Sequence, residues 1–244
     1  MMDRRNALKV ITYIPMAGYR PYQQMMEAYQ NAKNFLFKRR NDIEFREYFC
    51  PIFPIHSNRN ACVGHSIEGF VDGEERWFPD TTIWIDADTV IPYDGLFRLL
   101  DHPELKILSG WYKKKTEPHY PMVFLRNFHD MEDDIWLYQP ITNFVMENWD
   151  TQLMHADMVG QGCVRIDVDV LKAIEPPHFQ YPLPSKYEQS VYEGVHPGLE
   201  FCRKWHVYTN TEESTFWRKV VDKGFEIFVD PKIKCKHMRE DAVE

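Results

Sequence analysis

The sequence predicts an α/β domain with a mostly parallel central sheet. Strand-like and helical segments alternate over the first 90 residues, which is the pattern of parallel sheets. The apolar run Ile83-Trp84-Ile85 has the length of a buried strand and ends directly in Asp86-Ala87-Asp88. The chain has 244 residues, of which 44% are hydrophobic. This is enough for one full core, with or without an elaborated lobe.

Hydrophobic periodicity and turn residues place the elements in order. The strongest helix signal begins after the caps Thr209-Asn210-Thr211, with Glu212 and Glu213 in its first turn, and Gly224 stops it. The predicted strands cover 7–14, 43–54, 83–85, 105–109, 122–125, 135–138, 156–166, 225–229 and 232–235. The predicted helices cover 21–40, 59–72, 94–100, 168–174 and 212–223, and a long loop near a site covers 176–206.

Composition narrows the classes of function. The formal net charge of −8 provides no global basic field for nucleic-acid binding. Five widely spaced cysteines without a Cys-x-x-Cys pair indicate reduced thiols and predict a cytoplasmic protein. No apolar run approaches about 18 residues, so no transmembrane segment is expected. The first apolar run is interpreted as a strand and not as a signal peptide.

The acid pair after the central strand is the first candidate site. Ligands of open α/β sheets bind outside the carboxyl ends of the strands. Asp86 and Asp88 stand two residues apart, so on an extended chain their carboxylates point to the same side. Two such groups suit Mg²⁺ or Mn²⁺, which usually also binds substrate phosphates. The ordinary alternative is two solvated acids in a loop.

Several motifs occur in an order that suggests a family. They are Ile14-Pro15 after an early strand, Arg59-Asn60 opening a helix, Ile85-Asp86-Ala87-Asp88, Thr211–Phe216, Gly224-Phe225, Asp230-Pro231 and His237. In this order, from about Val10 to His237, the chain resembles the GT-A glycosyltransferases, specifically the family 2-like members. The run Gly160-Gln161-Gly162-Cys163 is similar to the glycine-containing strand that precedes the last segment in that family.

The resemblance implies roles for individual residues. Asp86 resembles the acid that binds the ribose or a metal-bound water, and Asp88 resembles the direct metal ligand. His237 is similar to the histidine that completes the site for Mn²⁺ or Mg²⁺. Glu213 stands where inverting members carry the catalytic base, but it replaces the usual Asp, so Glu212 stays an alternative. Residues implied to lie near the nucleotide are Pro15, Arg59, Asn60, Asp86, Gly160 and Gly162.

The implied activity is transfer of a hexose or pentose from a nucleoside-diphosphate sugar, expected to be a UDP-sugar, to a hydroxyl acceptor. Residues 1–110 would form the nucleotide-sugar-binding half and 111–237 the acceptor and catalytic half, with a small irregular acceptor-side lobe and a tail at 238–244. The alternatives are a nucleotidyltransferase with a similar sheet and a non-catalytic nucleotide- or carbohydrate-binding protein of this fold.

The sequence leaves four classes of acceptor open: a saccharide, a lipid, a protein or a modified nucleic-acid base. A nucleic acid would need a local basic groove, for which Lys113-Lys114-Lys115 with Arg126 is the visible candidate. Each group also has an ordinary interpretation. The glutamates would be helix N-terminal acids, His237 a surface histidine and the lysines a solvated edge.

Overall fold

A seven-stranded sheet forms the centre of the computed structural model, which describes residues 7–16, 21–52, 54–72, 75–115, 118–130, 135–149, 152–180 and 212–238. The strands in this part of the chain are β1 Leu8–Pro15, β2 Ile43–Cys50, β3 Phe70–Asp72, β4 Glu75–Trp77, β5 Thr81–Ile85, β6 Thr89–Val90, β7 Ile107–Trp111, β8 Val123–Asp130, β9 Ile135–Pro140, β10 Met154–Ala156, β11 Met158–Val159, β12 Cys163–Asp167, β13 Ile227–Lys234 and β14 Lys236–His237. The helices are α1 Gln23–Arg39, α2 Ile55–Glu68, α3 Gly95–Leu100, α4 Asn143–Asn148, α5 Val168–Ala173 and α6 Glu212–Asp222.

The sheet order is β10-β13-β7-β12-β5-β1-β2. β1 pairs in parallel with β2 and β5, and β13 pairs in parallel with β7. β12 runs antiparallel between β5 and β7, and β10 runs antiparallel at the edge. Five of the seven strands therefore point the same way, which confirms the predicted α/β class with a mostly parallel sheet.

Both faces of the sheet are covered by helices. Every residue of β5 and β7 is buried, as expected for central strands of such a sheet. Alternate residues of β1 enter different apolar clusters, because successive side chains of a strand point to opposite faces. Val10 packs with α1 and α3, whereas Ile11 packs with α2, α5 and α6. None of the described helices is long and apolar enough to cross a membrane.

The structure corrects three predicted boundaries. The second helix ends at Glu68 and not at Asp72-Gly73, because Gly69 adopts a positive φ of 82° and Phe70 joins a strand beside Tyr13. Asp230-Pro231 does not separate two strands but lies within β13, whose pairing with β7 is irregular between Val229 and Lys234. The strand predicted at 156–166 is three short strands, with Gly160-Gln161-Gly162 between β11 and β12.

The expected irregular lobe contains a small sheet of its own. β8 pairs with both β9 and β11, and α4 follows β9. Other expectations fall partly or wholly outside the described residues. The caps at 209–211 and residues 181–206 of the expected long loop are among them, as are positions 17–20 after the first strand.

Residues 176–180 are anchored beneath α2 and α6. The amide of Asn60 donates to the carbonyl of Phe179 (2.7 Å) and accepts from its backbone N–H (3.0 Å). The Phe179 ring stacks on Phe216 with centroids 4.6 Å apart. Nε2 of His178 donates to the carbonyl of Leu171 (2.7 Å). Burial lowers the pKa of His178, and the nearby Lys219 lowers it further.

This buried histidine predicts a pH dependence of stability. The unfolded chain protonates His178 as the pH falls through about 6.5, whereas the folded chain holds it neutral to lower pH, so stability falls with pH in that window. Between pH 7.5 and 5.5, we expect the free energy of unfolding to fall less in His178→Gln than in wild type. The difference is at most ~1.4 kcal/mol for each unit by which folding lowers the pKa of His178. Urea titrations measure this, with the more exposed His102→Gln as control. An equal pH dependence in wild type and His178→Gln would contradict it.

Candidate functional site

Strand geometry brings Asp86, Asp88 and His237 to one edge of the sheet. Asp86 directly follows β5, and its backbone N–H donates to the carbonyl of Gly162 (3.2 Å). β6 pairs with β14, which sets Thr89 opposite His237. The N–H of Met238 then donates to the carbonyl of Asp88 (2.8 Å). This two-stranded ladder carries the end of the described chain back to the acid pair.

Asp88 and His237 face each other with atoms that suit a cation. Nδ1 of His237 donates to the carbonyl of Lys113 (3.2 Å), so in the neutral ring the lone pair is on Nε2. That nitrogen lies 3.4 Å from Oδ1 of Asp88, a buried atom without a hydrogen-bond partner. Tyr112 packs edge-on against the imidazole at 4.8 Å and restricts its orientation. The oxygen and nitrogen donors therefore fit a divalent metal ion.

Asp86 does not join this pair but faces Arg59. Within the described residues, no group of three or more His, Cys, Asp or Glu side chains is arranged to hold a metal ion. Asp88 and His237 form a pair, so a cation there would need further ligands from substrate or water. Asp86 as a third ligand stays a prediction.

Lys115 lies in the candidate site, where the sequence predicted an ordinary solvated lysine. The lysine run favours a solvated edge, yet the Lys115 ammonium contacts Oδ2 of Asp88. Burial on its own raises the pKa of Asp88, but the His237 ring in its protonated form, with a hydrogen on Nε2, and the Lys115 ammonium outweigh it and hold the pKa below its usual range. Asp88 is therefore anionic at neutral pH. Lys115 and Asp88 are 27 residues apart, so no local pattern in the sequence indicates this contact.

Arg59 is the centre of a second, adjoining cluster. Its side chain is 3% exposed, and Nη1 lies 2.6 Å from Oε1 of Glu212 and 2.7 Å from Oε1 of Glu213. Nη2 lies 3.3 Å from Oδ1 of Asp86. One guanidinium thus joins the start of α6 to the end of β5. The resemblance implies that Arg59 lies near a nucleotide. In the structure its guanidinium forms ion pairs with three carboxylates of the chain itself.

The carboxylates around Arg59 differ in their electrostatic environment. Burial raises the pKa of Glu213 to about 7, against the opposing effect of Arg59 and with added repulsion from Asp86 and Glu212. Burial likewise raises the pKa of Asp86, and the neighbouring Asp88 adds to this. A carboxyl group with a pKa near neutrality can exchange protons at physiological pH, which is the property of a general base or acid.

Gly160 and Gly162 contact Tyr112 closely. The N–H of Gly162 donates to the Tyr112 hydroxyl (3.0 Å). A Cβ at Gly162 would lie 2.9 Å from that hydroxyl oxygen and 2.7 Å from Oγ1 of Thr89, and one at Gly160 would overlap the hydroxyl. Close backbone approach, as expected at these glycines, is therefore confirmed, but the group approached is a tyrosine of the chain. Between them, Gln161 is fully buried and neither amide atom has a hydrogen-bond partner.

Two further residues that the resemblance implies lie near a nucleotide, Pro15 and Asn60, contact other parts of the chain. Pro15 is buried at the end of β1, in register with Cys50. The Asn60 amide makes its two hydrogen bonds to the backbone of Phe179. The chain after β1 still reaches the acid loop, because the N–H of Tyr22 donates to the carbonyl of Ala87 (3.1 Å).

Comparison with solved structures identifies a shared fold. The crystal structure of A197 from STIV matches with a TM-score of 0.55 and 14% sequence identity, over 96% of this chain and 87% of A197. No protein-family model and no curated protein sequence matches the chain.

Two enzymes match with lower scores. S. aureus TarS, solved with UDP-GlcNAc, has a TM-score of 0.44 and 10% identity over 96% of this chain and 59% of its own. A 4-diphosphocytidyl-2C-methyl-D-erythritol synthase from Anaerococcus prevotii has a TM-score of 0.38 and 8% identity over 93% and 87%. Scores of this size carry no argument about activity. The comparisons therefore establish the α/β fold that this chain shares with A197.

Loss of the Arg59 guanidinium should lower the stability of the fold by a large amount. Arg59→Met would leave three buried or half-buried carboxylates without their cation, which should lower the free energy of unfolding by about 3–5 kcal/mol. Urea unfolding at pH 7 measures this. The control Lys106→Met removes an exposed lysine beside Asp167 and Asp169 and should cost less than about 1 kcal/mol.

The double variant Arg59→Met/Glu213→Gln separates charge from packing. It should recover part of the loss, because one of the unpaired carboxylates becomes neutral. A loss in Arg59→Met no larger than in the control would show that the cluster does not stabilise the fold.

Proposed function

We propose that this protein is a metal-dependent glycosyltransferase that moves a sugar from a nucleoside-diphosphate sugar to a hydroxyl acceptor. The observation that carries the proposal is the pairing of Oδ1 of Asp88 with Nε2 of His237 beside a second cluster that holds Glu213. Metal-dependent inverting sugar transfer uses a cation to neutralise the leaving diphosphate and a carboxylate to accept the proton of the acceptor hydroxyl. They lie at the end of β5, where open α/β sheets bind ligands.

Asp88 and His237 would hold the divalent ion, Mn²⁺ or Mg²⁺. When bound, such an ion neutralises charge on the leaving diphosphate. Lys115 contacts the other oxygen of Asp88, so its ammonium would add positive charge at the same place. Asp86 stands between Arg59 and the Asp88 loop, which suits the proposed contact with the ribose or a metal-bound water. UDP is the donor nucleotide that the sequence resemblance suggests.

Glu213 is the better candidate for the catalytic base. Its pKa of about 7 lets it take the proton of an acceptor hydroxyl at neutral pH, and 15% of its side chain is exposed. Glu212 is more deeply buried, with 7% of its side chain exposed. Arg59 binds both and would hold Glu213 in position while it changes charge. Transfer would proceed with inversion in this assignment.

The charges near the site favour a neutral acceptor over a nucleic acid. Three of the four cations of the candidate basic groove are matched by carboxylates of the chain, and the fourth, Lys114, lies over the Tyr120 ring. Lys113 lies 2.8 Å from Glu147, Lys115 contacts Asp88 and Arg126 lies 2.7 Å from Asp222. Such pairs leave little net positive potential. A saccharide hydroxyl is therefore the acceptor that we propose.

The proposal is tested by calorimetric titration of UDP, GDP and ADP, with and without Mn²⁺. We expect Mn²⁺-dependent binding of one nucleotide, which the sequence resemblance indicates is UDP. Its affinity should fall at least about tenfold in Asp88→Asn and in His237→Ala. The matched control is Asp169→Asn, which changes an exposed carboxylate on α5 and should bind as wild type does.

Either of two results would contradict the proposal. Nucleotide binding that depends neither on Mn²⁺ nor on Asp88 would show that Asp88 and His237 do not form a metal site. No binding of any nucleotide by the folded wild-type protein would remove the transferase assignment and leave a non-catalytic carbohydrate-binding role.

A further inference from the structure

A groove lies on the small lobe that contains β8, β9 and α4. It encloses about 560 Å³ between the β8–β9 hairpin, the segment around α4 and the edge strand β10. Cavities of about 300–1,000 Å³ with mostly apolar walls and a few polar groups are the usual form of small-ligand sites. The walls here include Trp149, Leu153 and Ile141 on one side and Asn127 and Gln139 on the other.

An aromatic ring is fixed at the mouth of the groove. Trp149 is 42% exposed, although large aromatic side chains are usually buried. Its Nε1 donates to the carbonyl of Gln152 (2.9 Å), which holds the indole in place. Leu125, also in the wall, is 41% exposed. A rigid half-exposed indole offers a flat apolar face to a ligand at little entropic cost.

Two amide groups supply hydrogen-bonding capacity beside this ring. Nδ2 of Asn127 donates to Oε1 of Gln139 (3.2 Å) across the β8–β9 pair. This bond leaves an acceptor on Asn127 and a donor on Gln139 for a ligand. The cation in the wall, Arg126, is paired with Asp222 at 2.7 Å. The groove thus offers polar groups without an uncompensated charge.

The groove is separated from the carboxylates by the length of α6. Arg126 pairs with Asp222, the last residue of that helix, whereas Glu212 and Glu213 are its first residues. Eleven residues at about 1.5 Å each span roughly 15 Å. A ligand in the groove therefore cannot be the group that reacts beside Glu213.

We propose that this groove is a binding site for a neutral saccharide chain. The apolar face of a sugar ring would lie on Trp149, and its hydroxyls would bond to the amides of Asn127 and Gln139. The proposal concerns binding and stands without the proposed transferase activity. Only the further step, that the groove holds a distal part of the acceptor, rests on that activity.

The test uses cellopentaose, maltopentaose, chitotetraose and mannotetraose as probes, with binding followed by saturation-transfer NMR and calorimetry on the full chain. At least one probe should bind to wild type. Its affinity should fall about tenfold or more in Trp149→Ala, because the stacking face is lost, and should largely persist in Trp149→Phe. Asn127→Ala, which leaves the indole intact, should weaken binding as well.

Two controls separate this site from the metal site and from loss of folding. Tyr93→Ala truncates another exposed aromatic, outside the groove, and should bind the probe as wild type does. Trp149→Ala should retain the Mn²⁺-dependent nucleotide binding of wild type, if wild type has it, together with a cooperative thermal transition. Absence of binding by all four probes, or binding unchanged in folded Trp149→Ala and Asn127→Ala, would overturn the proposal.

Discussion

The buried guanidinium of Arg59 is the interaction on which the site depends. It contacts Asp86 at the end of β5 and both glutamates at the start of α6, segments far apart in sequence. Without a cation at this point, burial of these carboxylates would be strongly unfavourable. Burial raises the pKa of both Glu213 and Asp86, although the charge of Arg59 opposes this rise. One buried cation thus holds together carboxyl groups whose pKa values differ from their ordinary ones.

A second constraint is the return of the chain to the sheet edge. β13 runs beside β7 in the centre of the sheet, and β14 then pairs with β6 directly after the acid loop. The ladder sets Thr89 opposite His237 and so brings the histidine close to Asp88. The hydrogen bond from its Nδ1 to Lys113 then sets which nitrogen faces the carboxylate. Main-chain pairing therefore determines the geometry of the proposed cation site.

The sequence was sufficient for the fold class and for most strands of the central sheet, because periodicity reports burial locally. The short elements β3, β4, β6 and α4 were not predicted. Apolar β5, amphipathic α6 and the stop at Gly224 were all predicted from neighbouring residues. Contacts between distant segments were beyond that reasoning. Nothing local indicates that Arg59 binds carboxylates, that Lys115 contacts Asp88, or that Asn60 supports the backbone of Phe179. The errors at Gly69 and Asp230-Pro231 have different causes. Gly69 ends α2 through its positive φ, ahead of the predicted stop at Asp72-Gly73, whereas Asp230-Pro231, residues typical of a turn, lie within β13 where its pairing with β7 is irregular.

The most direct measurement is the position of Mn²⁺ in crystals grown with Mn²⁺ and UDP, located by anomalous scattering. We predict a single peak in contact with both Oδ1 of Asp88 and Nε2 of His237, with Arg59 still paired to Glu212 and Glu213. A peak elsewhere, or a nucleotide bound at the end of β5 with no anomalous signal between Asp88 and His237, would contradict it.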